Sequence, residues 1–138
     1  MTIGIDDIFY MLSSERTNAV QVNGIEEAKK IKNLSVLIQP METKMIWENC
    51  AKVLVSKTDQ ELEFYLLKLF MWLQDMNWPG ADLIFQRLQE LPLELLQLPY
   101  DISCKLAHRT NDTVWLSVLD DFAKHLNINK RQHHQRLE

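Results

Sequence analysis

Few side chains in this chain have types and spacings that could do chemistry. Cys104 and His108 lie four residues apart, so on a helix they share a face and could pair a thiol with a base. Nothing nearby in the sequence would orient His108 or stabilise an oxyanion, and a structural thiol near a surface histidine is expected. Cys50, the other cysteine, sits inside a helical pattern, and neither cysteine belongs to a metal-type pair, so two reduced thiols are expected. His125 and the adjacent His133 and His134 offer ring nitrogens without converging carboxylates or thiols. The acid pairs Asp6-Asp7, Glu26-Glu27 and Asp120-Asp121 point about 100° apart on a helix, too divergent for an acid–base dyad. The three glycines, at 4, 24 and 80, form no phosphate-binding loop. The expectation is therefore no catalytic residue, no cofactor and no metal, in a protein that is not an enzyme.

The elements that would position any site are helices. Leu62, Tyr65, Leu66, Leu69, Leu73 and Met76 follow the spacing of one helical face, with Phe64, Leu67, Phe70, Met71 and Trp72 widening it. A helix apolar around most of its circumference is normally buried. Thr58 with Glu61 three residues on predicts a capping box at its start. Pro79 disfavours helical geometry at Trp78 and fits the first turn of a second helix, with Asn77 as its cap and Ala81, Ile84, Phe85 and Leu88 on its inner face. The two read as an antiparallel hairpin wedged by Trp72 and Trp78.

The flanks follow the same logic. Ile5, Ile8, Phe9 and Leu12 predict a short capping helix, and Thr17 to Lys32 a longer one whose Gly24 costs about 1 kcal/mol unless a neighbour packs closely there. Leu34–Ile38 reads as a helix end or turn, because no second strand-like run could pair with it. Ile46, Cys50, Val53 and Leu54 mark another inner face, with Trp47 beside it. Pro92 and Pro99 are expected to confine 93–97 to a turn or two, with the chain restarting at Pro99. Asn111-Asp112-Thr113 signals the cap of a last helix bearing Trp115, Val118, Leu119, Phe122 and Leu126. The expected architecture is all-α, stacked antiparallel hairpins of about six to eight helices. It should form one domain over 1–127 with a polar, basic extension at 128–138. Cap signals recur 45 and then 53 residues apart, compatible with degenerate helix-pair repeats.

Trp72-Leu73-Gln74-Asp75-Met76-Asn77-Trp78-Pro79 resembles the W-L-Q-D-x-N-W-P signature of a family of small, uncharacterised bacterial helical domains. Its structural residues here would be Trp72, Gln74, Asp75, Asn77, Trp78 and Pro79. Glu27–Leu34 with Gln39–Met41, and Trp47–Lys52, are similar to a subset of that family, and the resemblance spans about residues 15 to 126. It implies a short HEAT-like α-solenoid and a role in binding proteins. Some small solenoids of this kind resemble immunity proteins encoded beside bacterial toxins.

Charge narrows the partner. The chain is −4 overall, but between Asp59 and Asp101 eight acids face only Lys68 and Arg87, whereas the stretch after Asp121 is basic. An acidic body repels nucleic acid and attracts a basic partner. The expected contacts are Asp75, Asp82, Glu90 and Glu94. The N-terminus lacks the pattern of a signal peptide and no apolar run spans a bilayer, so a cytoplasmic location without membrane contact is expected. The leading expectation is an interaction module for a basic protein, an immunity-type protein binding a basic toxin among them. The alternatives are a small-ligand protein or enzyme with an inter-helix pocket, and a structural homo-oligomer using apolar surface from Leu91 to Tyr100.

Overall fold

The computed structural model describes the backbone of residues 3–137 and the side chains of residues 3–126. The basic stretch 128–138, with His133 and His134, thus lies outside the described side chains. Helices account for the regular structure of the described residues, with no strand among them. In chain order they are α1 (Ile5–Leu12), α2 (Asn18–Ala28), α3 (Trp47–Val55), α4 (Asp59–Leu62), α5 (Leu66–Met71), α6 (Ala81–Gln89), α7 (Leu93–Arg109) and α8 (Thr113–Leu137). The run Leu34–Leu37 is a 3₁₀ turn rather than a strand.

Local chemistry starts these helices where the side chains can satisfy orphan amides. The Thr17 hydroxyl accepts from Val20 N–H, and Asp112 accepts from Trp115 N–H at 3.0 Å. Thr58 and Glu61 form the reciprocal capping box. Gly24 is buried against α1, where an added Cβ would fall 2.7 Å from Met11 Cβ.

Two segments depart from expectation. The helix after Thr58 is not one regular cylinder: 3₁₀ turns at Glu63–Tyr65 and Trp72–Gln74 flank α5. Leu62, Leu66, Leu69 and Leu73 are buried along one side of this rod, and Phe64, two residues from both Leu62 and Leu66 and so on the opposite side, stands outside the core at 88% exposure. At Pro99 the chain does not restart; α7 runs through it. Proline removes one amide donor and crowds the carbonyl four residues back. Here packing of Leu96, Ser103 and Ala107 in the interior overrides that cost, and the Ser103 hydroxyl donates to the Pro99 carbonyl at 2.8 Å.

The packing order is that of stacked hairpins. α1 and α2 lie against each other and α2 against α3. Beyond α3, with Asp59–Gln74 taken as one rod, helices two apart in the chain become neighbours: α6 packs on α3 and on α8, and α5 packs on α7. α7 and α8 close the stack. One continuous core runs from Ile8 to Leu126. Buried polar groups bridge it: Asn49 donates to the Leu12 carbonyl at 2.7 Å, and the Trp115 indole donates to the Phe70 carbonyl at 3.2 Å.

Candidate functional site

The turn between α5 and α6 is fixed by tryptophans. Trp72 is fully buried and its indole N–H donates to the Pro79 carbonyl at 3.1 Å. Trp47 meets Trp72 and Trp78 edge to face, with centroids 6.0 and 5.7 Å apart, a favoured aromatic geometry. The wedge is thus a trio, and Trp47 comes from α3. Lys44 places its ammonium 5.6 Å from the Trp47 ring and 5.8 Å from that of Trp78. Gly80, not Asn77, caps α6; its φ is +84°, in the left-handed region. Asn77 is exposed, and its backbone N–H donates to the Asp75 carboxylate at 2.8 Å. Asp75 therefore organises the turn that separates Trp72 from Pro79, which displaces the helix start beyond Asn77. Gln74 is half-buried in the preceding 3₁₀ turn.

The other three candidate contacts stand differently. Asp82 is in the first turn of α6, Glu90 at its C-terminal end and Glu94 in the first turn of α7, all exposed. None of the ion pairs formed by the described residues involves them. Some acids elsewhere are engaged internally. Asp59 receives Arg87 at 2.7 Å, Glu26 and Glu27 pair with Lys29 and Lys30, and Glu61 is held below its ordinary carboxyl pKa by the Thr58 amide and hydroxyl.

The chemistry-bearing residues do not converge. Cys104 is half-buried whereas His108 is exposed. Cys50 is fully buried, and burial, with a smaller push from Glu42, raises its thiol pKa to about 12. Such a thiol is not a nucleophile at neutral pH. An apolar cleft of about 160 Å³ between α7 and α8 is lined by Leu96, Tyr100, Phe122 and Leu126 among others, and includes neither Cys104, His108 nor Asp75. No three His, Cys, Asp or Glu side chains among the described residues group to hold a metal. No helix of the described residues is long and apolar enough to cross a membrane.

The buried thiol makes stability fall at alkaline pH. An unfolded cysteine ionises near about 8.5, while folded Cys50 keeps its proton to about 12. Its contribution is complete below the unfolded value and is lost as pH rises between the two. Tyr100, raised by burial first and then by Cys104, acts in the same direction above the ordinary tyrosine range. The urea midpoint should therefore drop between pH 8 and pH 11, and Cys50→Ala should flatten that drop. An unchanged pH slope in the alanine variant would refute the assignment.

No curated protein and no solved structure matches the chain. A family of uncharacterised domains matches from just before the Lys44–Ile46 turn to the C-terminus, leaving out α1, α2 and the 3₁₀ turn that follows. The stretches Glu27–Leu34 and Gln39–Met41 thus lie outside the matched region, which contains both the tryptophan trio and the three exposed acids. Over residues 43–138 the chain belongs to the family described as Domain of unknown function (DUF5071).

Proposed function

We propose that this protein is an interaction module that takes a basic protein partner on the acidic surface of α6 and the start of α7. The observation that supports it is the state of Asp82, Glu90 and Glu94: exposed, acidic and free of the internal ion pairs that engage Asp59, Glu26 and Glu27. Unpaired exposed carboxylates leave a field that accelerates encounter with a cation-rich surface and repels nucleic acid. Asp75, whose carboxylate accepts the Asn77 backbone N–H, sets the turn and is the fourth acid of this reading. Packing between helices two apart supports reading the fold as a short HEAT-like α-solenoid, and such stacks work through extended surfaces. A basic toxin neutralised by an immunity-type protein is one such partner, and a cytoplasmic location goes with it.

The test is kinetic. With a captured basic partner, the double variant Asp82→Lys/Glu90→Lys should slow association by about tenfold or more at low ionic strength, with a much smaller effect at high salt. Its far-ultraviolet circular dichroism should match the wild type, since both residues are exposed. Association rates equal to wild type at low salt would overturn the reading.

A further inference from the structure

Between the rod that begins at α4 and the middle of α7 runs an open groove of about 360 Å³. Its walls carry Leu67, Leu95 and Ile102, half-buried, while Phe64 and Leu98 stand at its edges, 88% and 68% exposed. Single exposed apolar residues are ordinary on a protein surface; a phenylalanine and a leucine this exposed in one groove are not. Phe64 lies in the 3₁₀ turn Glu63–Tyr65, and Pro99 lines the groove where α7 loses an amide donor. The charged residues lining the groove are Glu63 and Glu94, and no cation is among its lining residues. Asp101 extends the series, because Glu94, Leu98 and Asp101 fall at i, i+4 and i+7 on α7.

We propose that this groove docks an amphipathic helix of the partner, one that buries apolar side chains between Phe64 and Leu98 and places lysine or arginine against Glu63, Glu94 and Asp101. The proposal rests on the acidic-surface reading above and shares Glu94 with it. A groove between two packed helices with apolar walls fits the helix-in-groove mode, in which anchors at i, i+3 or i+4 and i+7 enter together. An acidic rim selects a cationic helix over an acidic one and repels an anionic lipid surface.

The probe is a synthetic amphipathic helix with leucine at those anchor positions and lysine on its flanks, beside a counterpart in which every lysine is glutamate. Fluorescence anisotropy with wild-type protein should show binding of the lysine peptide and none of the glutamate peptide. Phe64→Ala/Leu98→Ala and, separately, Glu63→Lys/Glu94→Lys should each weaken binding by at least about tenfold. Phe64, Leu98, Glu63 and Glu94 are exposed, so these variants should retain the wild-type fold, checked by circular dichroism. Absence of lysine-peptide binding, or binding indifferent to Phe64 and Leu98, would overturn the groove. Lysine-peptide binding lost only in Asp82→Lys/Glu90→Lys would overturn the groove while leaving the acidic-surface reading standing. Wild-type dimerisation abolished by Phe64→Ala/Leu98→Ala would assign the groove to a second copy instead. Adsorption to phosphatidylcholine vesicles lost in the same variant would assign it to a membrane.

Discussion

Gly80→Ala is expected to destabilise the protein by about 2 to 5 kcal/mol, the sum of a left-handed backbone penalty and an overpacked contact. The position combines a φ of +84° with no room: a Cβ there would sit 2.6 Å from Ala51 Cβ and 3.1 Å from the Trp47 carbonyl oxygen. Neither obstacle can move cheaply. Ala51 is fully buried on α3, and the Trp47 carbonyl belongs to the same helix. The turn and α3 would have to part, and with them the contact that aligns α6 on α3. Thermal unfolding should show Tm lower by roughly 10 °C or more. A fall within about 2 °C would mean that the turn is not the joint between these helices.

Trp72→Ala should cost about 3 to 5 kcal/mol, a large share of the 5 to 15 kcal/mol that holds a typical domain together. The side chain has no exposed surface, packs edge-on against Trp47 and fixes the Pro79 carbonyl. Trp72→Phe separates these roles. It keeps most of the aromatic packing but leaves the Pro79 carbonyl without its indole donor, for an expected loss of about 1 to 3 kcal/mol. Urea titrations followed by far-ultraviolet circular dichroism measure both. Equal losses for the two variants would place the whole effect in the hydrogen bond rather than in filling the core.

Much of this fold could be read before any coordinates. The capping box at Thr58 and Glu61, the Asp112 cap and the close approach at Gly24 all depend on residues within one helical turn, or on a single small residue. What escaped the sequence was set at longer range. Nothing local tells that Trp47 closes the trio with Trp72 and Trp78, since the contact spans the chain from α3 to the turn. Pro99 reads as a stop by local rules, yet buried neighbours on both sides carry α7 through it. Phe64 reads as widening the apolar face, but two residues from both Leu62 and Leu66 it falls on the opposite side of the rod and stays outside the core. Of the candidate contacts, the exposure of Asp82, Glu90 and Glu94 followed from their places at helix ends. Their freedom from ion pairs, and the service of Asp75 in the turn, required the packed arrangement. The apolar surface foreseen near Leu91 to Tyr100 is real at Leu93 and Leu98, while Leu91 is buried.

Capture from a lysate of the source organism, with the wild-type protein and Asp82→Lys/Glu90→Lys as parallel baits at low and moderate ionic strength, tests the acidic docking surface most directly. A basic protein held by the wild type at low ionic strength, released at moderate ionic strength and absent from the variant is the predicted result. The same proteins on both baits at both ionic strengths would contradict it.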